Sequence, residues 1–304
     1  VRTKAGNVFV VVLIVSILLF PLCETNAGEE SLSVSVSLNK SLASYGDLVD
    51  VTVSLLGYSS NNIGVIEACI PIDTSLFSVV EDSIQNHLQT EEGTPIITMG
   101  HRKGSSEVYY SYVDVVKLVE KGGEVFSFQL EVIGEDVDVL KEIYLSSVIL
   151  ADKDFNNLEF DMNTVSIYIT DYNISVEDRL LSKIHKDTTV KDFTESLSAL
   201  NVEIIDKNDK RVDEEEYVGT GMKARFELNG EINEYLICVT GDANGDGEIN
   251  VTDLIAVRAH LLNKKKLEGI YFTAADVNNN GEINITDYIA INADVLNKKY
   301  IVPN

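Results

Sequence analysis

Apolar and polar residues alternate by two through much of the first half of the chain. LSVSVSL (Leu32–Leu38) and LVDVTVSL (Leu48–Leu55) are the clearest runs, and VIEACIPI (Val65–Ile72) continues the pattern. Strict alternation turns one set of side chains inward and the other to solvent, so each run predicts a β-strand. Further strands are expected at Ile96–Met99, Val108–Val113, Val125–Val132, Ile143–Leu150 and Val165–Ile169, with Asp136–Ile143 as a short helix or an edge loop. Eight or nine short strands divided by turn signals predict a two-sheet sandwich with Greek-key character over residues 28–170.

The pattern then changes. Thr189 followed by Asp192 forms a capping box that opens a helix to about Leu197, and VEII, MKARFEL and EYLICV read as strands. Asn208-Asp209 and Asn229-Gly230 supply turns, the second a hairpin signal. One helix and three strands predict a small α+β module over residues 171–240.

From Gly241 onward the chain repeats itself. GDANGDGEINVTDLIAVRAHLLNKK (Gly241–Lys265) has a near copy in VNNNGEINITDYIAINADVLNKK (Val277–Lys299), with an ungapped offset of 34 that carries Asp242 to Asp276, Asn244 to Asn278 and Asn263 to Asn297. An ungapped offset marks a duplicated unit. Each copy predicts an exiting helix, from Thr252 or Asp253 to Leu262 and from Thr286 or Asp287 to Leu296. EYLICVT, ahead of the first copy, reads as a strand, so only the exiting helix of each unit is expected.

The spacing inside each copy carries the chemistry. Oxygen-bearing side chains stand at loop positions 1, 3, 5, 9 and 12, with glycine at 6 and a backbone carbonyl at 7, the arrangement that wraps a hard cation in oxygen. In the first loop these are Asp242, Asn244, Asp246, Asn250 and Asp253 with the carbonyl of Glu248; in the second, Asp276, Asn278, Asn280, Asn284 and Asp287 with the carbonyl of Glu282. Asn, Asp and Gly also favour plain polar turns, but two copies with every position filled point to two Ca²⁺ ions. Position 12 is Asp in both loops where an EF-hand has Glu. Ile249 and Ile283, at position 8, are expected to tie the loops together through their backbones and to bury their side chains between them. The first loop holds three carboxylates and the second two, so the second site is expected to be the weaker.

Charge narrows the partners. Against 24 basic residues stand 49 acidic ones, a net −25 that argues against nucleic acid or an anionic surface and for an extracellular, calcium-containing setting. Arg2 and Lys4 precede the apolar run Val8–Phe20, and Thr25-Asn26-Ala27 offers small residues for cleavage, so residues 1–27 read as a secretory signal peptide. The competing reading, a retained membrane anchor, needs a longer run of ~20 residues. Cys23 lacks the small preceding residue of a lipid-anchored cysteine. Cys69 and Cys238 fall in different modules and read as small buried hydrophobes rather than a disulfide.

Catalytic and sugar-binding signals are weak. With no Trp in the chain, Tyr109, Tyr110 and Tyr112 are the nearest thing to an aromatic platform; Tyr110 is read as turned away from the other two, and strand packing is the better account. Glu120, Glu124, Asp152 and Asp154 pair only on paper, since no spacing selects two of them for glycoside chemistry. The histidines at 87, 101, 185 and 260 form no Ser-His-acid or zinc set, so no enzyme is expected.

On the loop ligands, the glycine, the position-8 Ile and the spacing, residues 241–304 resemble a type I dockerin. The resemblance implies a calcium-dependent plug for a cohesin module of a scaffold protein. It places partner contacts at Val251, Thr252, Arg258, Ala259 and Asn263 in the first copy and at Ile285, Thr286, Asn292, Ala293 and Asn297 in the second. Two nearly identical patches imply binding in two orientations, with Arg258 against Asn292 breaking the symmetry.

Residues 28–170 resemble a cohesin on VSVSLNKSLASYGDLVDVTVSL, PIDTSLFSVV, GEVFSFQLEV and SSVILADKDFNNLEFDMNTVSIYI. That resemblance implies a jelly roll that receives a dockerin-bearing protein. TTVKDF, VGTGMK and VTGD in residues 171–240 resemble a module that often precedes dockerins. The expected fold is thus mainly β: a jelly-roll β-sandwich, a small α+β module and an α-helical calcium-binding dockerin. The implied role is a secreted, non-catalytic adaptor of a cellulosome-like complex, held at a cell surface through a scaffold. The alternative is a carbohydrate-binding or adhesion subunit of a polysaccharide-degrading complex, since carbohydrate-binding modules share the jelly roll.

Overall fold

In the computed structural model, which describes residues 31–302 except 58–62, 89–94, 102–105, 115–118, 120–121, 135–137 and 176–177, the alternating runs become paired strands. The expected signal peptide at 1–27, Cys23 and Glu120 lie outside the described residues. In the strand Leu48–Leu56, Val49, Val51, Val53 and Leu55 are buried, as the alternation requires. This strand pairs antiparallel with Ser33–Leu38 on one side and Gly123–Val132 on the other, at the centre of a six-stranded sheet. Ile63–Pro71 is central to a four-stranded sheet with Ser147–Asp152, Glu107–Val113 and Ile96–His101.

One hydrophobic core fills the space between these sheets. Phe126 stacks on Tyr110 with ring centroids 4.6 Å apart and lies 6.4 Å from Phe128, and the Tyr110 hydroxyl donates to Asn86 Oδ1 at 2.6 Å. Burying large rings whose polar ends find partners is what holds two sheets in a fixed relation.

Three expectations for this region are corrected. Ile143–Leu150 is not one strand: Val139–Tyr144 and Ser147–Asp152 are separate strands in different sheets, divided by a break at Leu145-Ser146. The first of them takes the place of the short helix or edge loop expected at Asp136–Ile143, its residues 139–144 pairing along Thr164–Ile169. Tyr110 is also not opposed to Tyr112. Residues two apart on a strand share a face, so both are buried, and it is Tyr109 that points the other way. Residues 33–169 form a jelly-roll-like wrap of six-, three- and four-stranded sheets around this core, as the predicted jelly roll requires. Just after Ser33–Leu38 the chain leaves the large sheet, and Leu42-Ala43 pairs parallel with Thr164–Ile169 in the three-stranded one. Strands that switch sheets make such corners.

Residues 173–237 form a five-stranded sheet, against the three strands expected. Asn173–Ser175 and Leu180–Ser182 are too short to show periodicity, yet the second pairs parallel with the last strand, Glu231–Ile237. Helix α1 (Val190–Glu195) starts at Thr189, whose Oγ1 accepts from the Asp192 amide at 3.1 Å, and a 3₁₀ turn at Ser198–Leu200 completes it. Asn229 and Gly230, both with positive φ, turn the Lys223–Leu228 strand into Glu231–Ile237, as a two-residue hairpin requires.

This second core also takes in Leu42 and Tyr168 from the jelly roll. The hairpin turn reaches back to it as well: Asn229 Oδ1 accepts from the Ser166 amide at 2.7 Å and its Nδ2 donates to the Ser166 carbonyl at 2.8 Å. A third cluster closes the C-terminus, where helices α2 (Val251–Leu261) and α4 (Ile285–Val295) pack on each other with α3 (Ile270–Ala275) between them in sequence. α3 precedes the second loop directly, so the expectation that no helix enters either loop holds only for the first.

Candidate functional site

The two loops fold alike because each first aspartate gathers the amides of its own turn. Asp242 Oδ1 accepts from Gly245 N at 2.7 Å and Asp246 N at 3.2 Å, and its Oδ2 from Gly247 N at 3.1 Å. In the second loop Asp276 accepts from Asn280 N at 3.1 Å and Gly281 N at 2.7 Å. Gly247 and Gly281 have φ of 84° and 85°, a conformation that glycine adopts without strain. Asp246 and Asn280 each accept from the amide two residues on, Glu248 and Glu282, both at 3.0 Å.

The far end of each loop is the start of a helix. Asn250 and Asn284 cap α2 and α4, each accepting from the amide of the threonine two residues on at 2.8 Å. Asp253 and Asp287 complete a capping box by accepting from the Asn250 and Asn284 amides, both at 2.9 Å. Their other oxygens accept across the loop, from Asn244 N at 3.1 Å and Asn278 N at 3.3 Å. Each position-12 aspartate thus stitches helix to loop. Ile249 and Ile283 join one apolar cluster as expected, but no β-bridge links their backbones among the described residues; packing alone joins the loops there.

Asp242, Asp253, Asp276 and Asp287 are buried, and no Lys or Arg pairs with any of them among the described residues. Burial, the largest influence, pushes the Asp242 carboxyl up and carries Asp253 up to about 6. Buried carboxylates without a counter-charge are costly unless a cation is supplied. No group of three or more His, Cys, Asp or Glu side chains arranged to hold a metal occurs among the described residues. The loops instead combine aspartate with asparagine and backbone oxygens, an all-oxygen set that fits a hard divalent cation and suits calcium. A cation held by Asp242, Asp253, Asp276 and Asp287 with the loop asparagines would supply positive charge against the buried carboxylates.

The outward face is also duplicated. Val251 and Ile285 are 59% and 60% exposed, Ile255 and Ile289 62% and 58%, Leu262 and Leu296 54% and 51%. At these three pairs of positions the two exiting helices are left equally uncovered. Thr252, Arg258 and Asn263 are exposed with Ala259 half-buried; Thr286 and Asn297 are exposed with Asn292 and Ala293 half-buried. The expected contact residues therefore lie at the surface. Sequence reasoning missed Ile255, Leu262, Ile289 and Leu296, although apolar residues repeated at that offset beyond the needs of a small core were the available signal.

Residues 240–296 match the family model for the dockerin type I domain. The C-terminal segment is a dockerin domain. That match covers the duplicated loops and both exiting helices. No curated protein sequence matches the chain. Among solved structures, similarity is found to the sixth cohesin of Acetivibrio cellulolyticus scaffoldin B in complex with a Cel5 dockerin mutant (13% identity, 46% of this chain and 99% of that one, TM-score 0.40). The Coh-OlpA–Doc918 complex of Clostridium thermocellum gives 19% identity over 45% of this chain and 99% of that one, TM-score 0.38. A non-cellulosomal cohesin from Archaeoglobus fulgidus gives 14%, 46%, 91% and 0.35.

Asp152, one of the acids weighed for glycoside chemistry, is engaged within its own turn. Asp152 accepts from the Asp154 and Asn156 amides at 2.8 and 2.9 Å and from Asn156 Nδ2 at 2.9 Å, bonds that hold its carboxyl below the usual range within its own turn. Cys69 and Cys238 are both free thiols.

Proposed function

We propose that this chain is a secreted, non-catalytic adaptor of a cellulosome-like complex. Its parts are a jelly roll over 28–170, an α+β module over 171–240 and a dockerin over 241–304 that plugs into a cohesin module of a scaffold protein. The reading rests chiefly on the duplicated apolar face of α2 and α4, whose exposed Val251, Ile255 and Leu262 match Ile285, Ile289 and Leu296. Apolar side chains exposed in register on a helix face are a liability for a free monomer and an asset for a docking module.

Calcium, two ions held by the loop oxygens from Asp242 to Asp253 and from Asp276 to Asp287, is the condition for that face to exist, since the loops set both helix starts. The jelly roll is the receptor end, offered to a dockerin-bearing protein. The carbohydrate-binding alternative loses the support of Tyr110 and Tyr112, which are buried. Calorimetry of the full chain against a cohesin panel tests the reading: binding in millimolar calcium that disappears in chelator is expected. A chain that binds no cohesin yet retains on polysaccharide would overturn it.

A further inference from the structure

The two loops differ in a contact that comes from outside them. Asp242 receives a fourth hydrogen bond from outside its loop: the Thr220 amide donates to Oδ2 at 2.8 Å. The amides that Asp276 accepts, from Asn280 and Gly281, come from its own loop. Thr220 lies in the turn Val218–Met222 of the preceding α+β module. That turn is strapped to the module's last strand by Gly221 N to Ile237 O at 2.9 Å, and Val239 N donates to Thr220 Oγ1 at 3.1 Å. A buried bond from a fixed backbone donor to a carboxylate holds that carboxylate in one orientation.

The glycines show how closely this turn approaches. A Cβ on Gly219 would lie 2.9 Å from Gly247 N, and one on Gly247 would lie 2.8 Å from Tyr217 Cβ. A Cβ on Gly245 would meet Thr220 O at 2.6 Å and Tyr271 of α3 at 2.7 Å. In the second copy Gly281, the counterpart of Gly247, has open space around it, and Asn279 stands in place of Gly245. Asn279 and Gly245 share the left-handed backbone, with φ of 53° and 82°. Asn is tolerated there, so backbone conformation does not explain the glycine at 245. The side chain is excluded because the preceding module occupies its place.

We infer that the Val218–Met222 turn is a built-in wall of the first calcium loop, with the Thr220 amide positioning Asp242, so that cation binding at this loop is coupled to the order of the α+β module. The inference rests on the reading that the loops bind calcium. Among the described residues no such turn stands against the second loop: a Cβ on Gly281 would meet open space, and the module's ion pair to this copy, Lys186 with Asp294, lies on α4 and not on the loop. Coupling of this kind is reciprocal: the module tightens the first site, and calcium in the first site steadies the module. Loss of a hydrogen bond to a charged buried group weakens binding by about tenfold.

Hydrogen exchange by mass spectrometry on the full chain, with calcium and with chelator, tests this without any substitution. Protection of residues 217–222 is expected to rise with calcium together with that of 242–253. If 242–253 respond and 217–222 do not, the coupling is wrong while the calcium reading stands. If neither loop responds, both are wrong. Gly245→Asn, which gives the first loop the residue of the second, is expected to weaken calcium at the first loop about tenfold in calorimetry and leave the second unchanged. Asn279→Gly serves as the control and is expected to alter neither. Equal affinity at the first loop in Gly245→Asn and wild type would overturn the inference.

Discussion

On the proposed docking role, replacing Ile255 by Asp should disable one face and replacing Ile289 the other, and the comparison between them decides whether both are used. Full burial of such a side chain is worth about 1.5–3 kcal/mol, and with roughly 60% of each exposed, partner contact recovers about 1–2 kcal/mol per residue. An aspartate placed there loses that and adds the cost of burying a charge, so an orientation that uses the altered face weakens by well over tenfold. If the two orientations are equivalent, removing one only halves the ways to bind, a loss of RT ln 2 or about 0.4 kcal/mol and about twofold in Kd.

Arg258 opposite Asn292 unbalances the pair. A rim ion pair to an acidic partner contributes about 0.2–1 kcal/mol, so loss of the first face costs up to about sixfold and loss of the second less than twofold. Calorimetry or surface plasmon resonance against one cohesin reads all three variants, with the double variant expected to lose at least about a hundredfold. A drop beyond about tenfold from either single change, with circular dichroism unchanged, refutes the two-orientation argument.

Three further outcomes are expected. Lys186 pairs with the buried Asp294, whose other oxygen accepts from Ile301 N at 2.7 Å; Lys186→Met leaves that carboxylate unpaired and should cost about 3 kcal/mol in urea denaturation, whereas a cost under about 1 kcal/mol would show the pair to be dispensable. Asp73 is held down to about 2, first by its hydrogen bond from Lys141 at 2.6 Å and then by Ser75; a carboxyl lowered in the fold stabilises it above about 4 and loses that contribution as pH falls toward 2. Asp73→Asn should therefore lower stability at pH 7 by under about 1 kcal/mol, because the pair is partly exposed, and shrink the gap to wild type at pH 2; a gap that widens in acid would reverse the sign. Burial pushes the Cys238 thiol up to about 12, so iodoacetamide at pH 8 should leave it unlabelled until the chain is denatured, and prompt labelling of native protein would contradict the burial.

The sequence by itself determined what depends on short-range periodicity and ligand spacing. Alternation in Leu48–Leu55 fixed which residues of that strand point inward, Thr189 and Asp192 marked the start of α1, Asn229-Gly230 marked the hairpin, and the 34-residue offset found both loops. Each is written in a few neighbouring residues whose backbone preferences agree with the fold. What the sequence left open was long-range. Leu180–Ser182 is a strand only because Glu231–Ile237 lies beside it, and Val139–Tyr144 only because Thr164–Ile169 does. Leu42 and Tyr168 look like jelly-roll core by pattern yet pack into the second cluster. Thr220 carries no local signal as a partner of Asp242, 22 residues away; only the close packing of the turn on the loop brings its amide there. Gly245 against Asn279 was the one trace of that contact in the chain, and it acquires meaning only once Thr220 O is seen where a side chain would have to go.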